Sequence, residues 1–216
     1  MRATFFECSE TMRPAHLLCA AVMLLTALCN LHLLRGTEPS PLIFTLDGIR
    51  QGEWYRLITH PLVHVSGYHL ILDGLCMCLL FRAADLPIFR KLGATAICGV
   101  TSLVYAVSAS PHIATTGYCG LSGIAHGFMF LVGWQWFFAG FCASRSGRNA
   151  QTPLGILFCL VVLAKSLWEV HTGQVLFRGS HYGDLGTPIV HAHLGGVFGG
   201  FISALLMGKA GAVRWP

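Results

Sequence analysis

An all-α bundle of six membrane-spanning helices in one domain is the architecture this chain predicts, and three observations carry it. Of 216 residues, 54% are apolar and only 11% are charged, against about a quarter charged in ordinary soluble domains. The apolar residues fall in repeated runs near the ~20 residues a helix needs to cross a bilayer. No ten-residue alternation of apolar and polar positions appears, so membrane barrel strands are excluded. The net charge of +5 is therefore a matter of membrane topology, and no nucleic-acid partner is expected.

Taken in order, residues 1–13 are polar and lack the small-residue cleavage site of a signal peptide. Residues 14–34 are long enough to span and are expected as a retained first helix. Residues 36–67 form a connection rich in Trp54, Tyr55 and Arg56, suited to lying at the membrane interface. Helices are then expected over about 68–81, 92–108, 121–142, 153–168 and 189–207. The uncharged loop 109–119 and the glycine-rich loop 169–188 precede the fourth and sixth. Nine scattered cysteines without paired spacing suggest neither a disulfide framework nor a zinc site.

Charge fixes the expected orientation. With the N-terminus cytoplasmic, the inner segments hold Arg2, Arg13, Arg82, Arg90, Lys91, Arg145, Arg148, Lys209 and Arg214, while the outer ones hold Arg35, Arg50, Arg56 and Arg178. Cations concentrate on the cytoplasmic side of membrane proteins, so both termini are expected inside. The starts of helices two, four and six then face outward, bringing His64, His69, Ser122 and His193 to one side.

Ser122 lies in GLSGI, where a polar loop becomes an apolar run. The soluble hydrolase elbow needs a strand before it and a glycine where Ile124 stands, so that reading fails. A serine at a helix N-terminus is either a plain cap or a nucleophile whose oxyanion the free backbone N–H groups would hold. Gly123-x-x-x-Gly127 and the glycines at 195, 196, 199 and 200 are patterns that let helices approach closely. Packing alone accounts for such patterns. If the two faces meet, however, the hydroxyl of Ser122 and the imidazole of His193 come within reach as nucleophile and base.

His69 and Asp73 are four residues apart and share one helical face. The histidines at 60, 64 and 69 and at 191 and 193 contain no HExxH, and His191 and His193 diverge on a helix, so no metal or other cofactor is expected. Asp73, Lys165 and Glu169 are ionisable residues inside apolar runs, where charges are costly and tend to be paired or functional. Lys165 and Glu169, also four apart, form either a self-contained ion pair or part of a site. His16, His32, His112, His126, His171 and His181 fall into no constellation.

Three elements together resemble the rhomboid intramembrane serine proteases: THPLVHVSGYHLILD, GLSG and AHLGG, in that order and on one side of the membrane. The resemblance spans about residues 14–208. It implies Ser122 as nucleophile and His193 as general base, a dyad without a third acid. It also implies His69 as an oxyanion donor, His64 and Arg56 as loop supports, and Gly120, Gly123 and Gly196 at close helix approaches. The family carries asparagine where this chain has Asp73; an ionised aspartate accepts hydrogen bonds and would repel an oxyanion, a protonated one would donate, and either form would orient His69. The compact length and KSLWEVHTG look like the rhombosortase branch, which implies Lys165 and Glu169 as branch-specific positions. That branch implies membrane-anchored exported proteins as substrates, cut at a C-terminal Gly-Gly, hydrophobic helix and basic tail. It further implies a bacterial inner-membrane enzyme whose site opens to the extracytoplasmic side. General rhomboid cleavage of other membrane substrates, and non-catalytic binding of membrane helices, are the alternatives.

Overall fold

The computed structural model describes residues 20–35, 40–143, 151–176, 178–180 and 182–207. Among these the protein is all-helical, with a single isolated β-bridge between Phe44 and Tyr118. Three helices are long and apolar enough to cross a membrane, namely Ile88–Ala109, Ser122–Phe141 and Gln151–Thr172. Residues 14–19 of the first expected span lie outside the described residues. So do Arg2, Arg13, Arg145, Arg148, Lys209 and Arg214 of the inner charge set.

The expected first span is not continuous where it is described. Helix α1 (Ala20–Cys29) stops and α2 (His32–Arg35) restarts one turn later. Asn30 explains the break, because its side chain serves the neighbouring loop as well as its own helix. Its Nδ2 donates to the carbonyls of Thr26 and Leu62, both at 2.7 Å, and its Oδ1 accepts from the His64 amide at 2.8 Å.

The connection that follows is structured. Thr45 caps α3 (Leu46–Arg50) by accepting from the Gly48 amide at 3.1 Å. Helix α4 (Arg56–Thr59) runs into a 3₁₀ turn, His60–Leu62. That unit meets α5 (Gly67–Ala83) at a bend of 94°. Ser66 starts α5 by accepting from the His69 amide at 3.0 Å.

Pro87, which cannot continue a helix from Ala83, opens α6 (Ile88–Ala109) instead. This start is four residues earlier than the apolar pattern alone suggests. The charged Lys91 is accommodated in the first turn by donating to the Phe81 carbonyl at 2.6 Å. Pro111 sets the end of α6, since the residue before a proline avoids the helical region. A single turn, α7 (Ile113–Thr116), ends at Gly117. Then come α8 (Ser122–Ala143), α9 (Gln151–Thr172) and α10 (His191–Met207).

Helix α9 runs four residues past its expected end at Trp168, so Glu169 is helical rather than part of the loop. Gly173 closes it, with φ of 68° and its amide on the Glu169 carbonyl at 2.8 Å. Buried charges did not stop this helix because each finds a partner, as described below.

Helix α10 is the centre of the bundle. It packs on α6 and α8, and α8 in turn packs on α9 and α5. Ten of its residues are buried, including Gly195, Gly196, Gly199 and Gly200. A Cβ on Gly196 would collide with the Gly123 carbonyl and one on Gly200 with the Gly127 carbonyl. On the other flank, a Cβ on Gly195 would meet the Thr101 carbonyl of α6 at 2.5 Å. The two glycine faces therefore meet, and a second pair joins α10 to α6.

Candidate functional site

Helix direction brings the chemistry to one end of the bundle. The starts of α5, α8 and α10 and the end of α9 lie together there, so His69, Ser122, His193 and Glu169 converge from four helices.

The segment before Ser122 is held from two sides. Tyr118 exchanges backbone hydrogen bonds with Phe44 at 2.9 and 3.0 Å, tying it to the loop ahead of α3. Arg56 supports that loop through Nη1 on the Ile43 carbonyl at 2.5 Å and Nε on Glu53 at 2.7 Å. Gly120 takes φ of 97°, a left-handed conformation other side chains rarely adopt, and donates its amide to the His60 carbonyl at 3.0 Å. A Cβ there would meet the Asp73 carboxylate at 2.9 Å and the His69 ring at 3.0 Å. Gly120 thus lets the segment before Ser122 lie flat against α5.

Ser122 opens α8, where first-turn amides have no intrahelical carbonyl to bond. Its Oγ lies 3.1 Å from Nε2 of His193, a buried residue. The opposite ring nitrogen, Nδ1, is 2.7 Å from Oε2 of Glu169. A carboxylate can only accept here, so Nδ1 carries the proton. Nε2 then presents its lone pair to the hydroxyl, which is the tautomer a general base requires. The expected dyad without a third acid is therefore joined by a carboxylate, and Ser122, His193 and Glu169 form one chain of hydrogen bonds.

Glu169 is fully buried and fully engaged. Its Oε1 accepts from Lys165 Nζ at 2.6 Å and from the Leu176 amide at 2.9 Å, where the chain folds back after α9. Lys165 and Glu169 do pair across one turn, yet the pair is not self-contained. Lys165 Nζ also lies 2.8 Å from Nε2 of His126. An ammonium can only donate, so Nε2 of His126 accepts and its Nδ1–H donates to the Ser122 carbonyl at 2.7 Å. The His126 ring stacks on His193, with centroids 4.1 Å apart and planes within 6°.

His126 is the site residue that the sequence pattern did not reveal. It sits one turn after Ser122, on the same helical face, which is the one signal that could have found it. His126, Glu169 and His193 also bring ligand atoms within 4.8 Å of one another, as a metal site would. Lys165, however, already sets a positive charge against two of the three.

On the far side of Ser122, Asp73 acts as an acceptor. Its Oδ2 takes the Leu121 amide at 2.9 Å and lies 3.2 Å from His69 Nε2 and 3.6 Å from His64 Nε2. Asp73 thus anchors the residue before Ser122 and orients His69, whose ring rests on Gly120. His64 is fully buried beside it, with its ring 5.0 Å from that of His69. Gly123 lies where a Cβ would strike the Tyr118 hydroxyl at 2.7 Å and the Ala192 carbonyl at 2.9 Å, so it permits the approach of α10 that delivers His193.

Cys119, three residues from Ser122, is the rival nucleophile by position. Burial, reinforced by the negative Asp73, pushes its thiol up to about 12, so it stays protonated and unreactive at neutral pH. Burial likewise pushes the Tyr118 phenol up. The chain matches no protein-family model, no curated protein and no solved structure.

Proposed function

We propose that this protein is an intramembrane serine endopeptidase of rhomboid type, built as a six-span bundle with both termini cytoplasmic and the site at the extracytoplasmic face. The observation that carries the reading is the hydrogen-bonded chain Ser122–His193–Glu169 at the N-terminus of an apolar helix. Nucleophile, base and orienting acid stand in the order that serine hydrolases of unrelated folds share.

In the reaction, His193 Nε2 takes the Ser122 proton as Oγ attacks a peptide carbonyl of a membrane-anchored substrate. Glu169 holds the Nδ1–H and stabilises the imidazolium that forms. The oxyanion develops against the Ser122 amide at the start of α8, with the imidazole of His69 alongside. Imidazolium then protonates the leaving amine. Water, activated by the same base, releases the acyl group. No cofactor enters these steps. The proposed substrates are exported proteins whose C-terminal Gly-Gly, hydrophobic helix and basic tail is removed, as the likeness of KSLWEVHTG to the rhombosortase branch implies.

The test is cleavage of such a tailed substrate, and of an unrelated membrane-anchored protein, in proteoliposomes. Ser122→Ala and His193→Ala are each expected to lose about 10⁴-fold or more in rate, as in other serine hydrolases. Full activity in Ser122→Ala ends the reading; cutting of only the unrelated substrate ends the sorting-tail part of it.

A further inference from the structure

A partly buried ammonium beside the orienting carboxylate is not needed to hold a histidine. A lone carboxylate accepting the Nδ1–H does that. Here Glu169 divides its two oxygens: Oε2 goes to His193, while Oε1 takes Lys165 at 2.6 Å. The groups facing His193 are Ser122 and His126 from α8 and Lys165 and Glu169 from α9. Helix α6 meets the opposite, glycine-bearing flank of α10 at Gly195 and Gly199. The base thus sits in a field set by one anion, one cation and one neutral ring.

We propose that Lys165 and Glu169 are positioning residues that act on the His193 base in opposite directions, Glu169 favouring its imidazolium form and Lys165 opposing it. This inference rests on the serine-hydrolase reading of Ser122 and His193. A nearby carboxylate favours the imidazolium form, and a cation disfavours it. In a site shielded from water both effects are large, because little solvent screens them. Glu169 favours the imidazolium form of its partner ring. Lys165 offsets that charge in the resting state. When Ser122 gives up its proton, the new imidazolium still has Glu169 at 2.7 Å.

His126 gives Lys165 its second attachment. By donating to Nε2, the ammonium holds His126 as the neutral Nδ1–H form. A neutral ring stacks on an imidazolium without repulsion, whereas a second imidazolium at 4.1 Å would oppose it.

The experiment is the pH dependence of Ser122 phosphonylation by a fluorophosphonate probe, using the full chain in detergent micelles. It is paired with a ¹⁵N-histidine NMR titration of His193 in Ser122→Ala protein, which needs no activity. Glu169→Gln is expected to move the acid limb about one pH unit lower and slow labelling about tenfold or more at neutral pH. Lys165→Met is expected to move the limb about one unit higher. Shifts in the same direction, or no shift in either variant, overturn the proposal. Should Lys165→Met fail to fold around an unpaired Glu169, the neutral double variant Lys165→Met/Glu169→Gln is compared with Glu169→Gln. Removing the cation must then raise the limb, and an unchanged limb overturns the proposal. Wild type that resists the probe while the NMR shifts remain opposite would sink the hydrolase reading and leave the charge pair's effect on His193 standing.

Discussion

Asp73 concentrates its structural duty near Ser122 in a single oxygen. Its Oδ2 receives the Leu121 amide and faces both His69 and His64. Asparagine retains an acceptor for the amide but loses the charge, so Asp73→Asn is expected to fold normally and lose less than about tenfold in cleavage rate. Alanine leaves the Leu121 N–H unpaired, which costs about 1–3 kcal/mol at a buried site. Thermal unfolding and cleavage assays of the two variants, side by side, check this. Equal losses in both would mean that the charge, not the acceptor, matters. At this scale the sequence was informative about residues carrying their own context. Ser122 stood at a loop-to-helix boundary, and His193 headed a glycine face. Lys165 and Glu169 were readable as a pair because their spacing is local. What the spacing could not disclose is their outside partners: His126 lies 39 positions from Lys165, and His193 lies 24 from Glu169. Only packing decides such distances.

Among the elements, the contact of α8 with α10 governs whether the site exists. Backbone meets backbone there, with the Gly123 and Gly127 carbonyls against Gly196 and Gly200. Substituting Gly196→Ala drives a methyl into a carbonyl that has no rotamer to move. Overpacking of this kind typically costs about 1–3 kcal/mol, and it displaces His193 from Ser122 along with the helix. The expected result is a lowered unfolding temperature and cleavage reduced about 100-fold, since small misplacements of catalytic groups carry large penalties. Gly74→Ala, which meets open space on α5, is the matched control and is expected to fold as stably as wild type. Glycine spacing announced the close contact in advance, and helix positions followed from apolar runs and proline. Helix ends were less legible. Asn30 interrupts the expected first span for the sake of a loop 32 residues away, and α9 outruns its apolar pattern because its charges are paired.

For the whole molecule, the starts of α5, α8 and α10 share one end with the close of α9. The turn between α5 and α6 lies at the other end, where Asp85 and Gln135 exchange two hydrogen bonds at 3.0 and 3.1 Å. The proposed orientation places these ends on opposite sides of the membrane. In a cysteine-depleted background, Gln174→Cys is expected to react with an impermeant maleimide added outside sealed cells. Asp85→Cys is expected to react only after lysis. The reverse pattern would invert the topology and remove the extracytoplasmic site. The distribution of arginine and lysine predicts a direction of insertion, which the labelling experiment tests, whereas the depth of each helix depends on its neighbours.

Ser122 and His193 stand 71 positions apart, and the base belongs to the last described helix. On the proposed mechanism, a ribosome therefore finishes the nucleophile long before the group that activates it. Until α10 enters the bundle, Ser122 has no imidazole beside it, and a half-made chain passing through the insertion machinery holds no assembled Ser122–His193 pair. Under the proposed activity, order of synthesis is a safeguard: the newborn chain is harmless to membrane proteins being made beside it. A nascent chain arrested at residue 188 should accordingly integrate yet leave a fluorophosphonate probe unreacted, with labelling appearing only once His193 has emerged and packed.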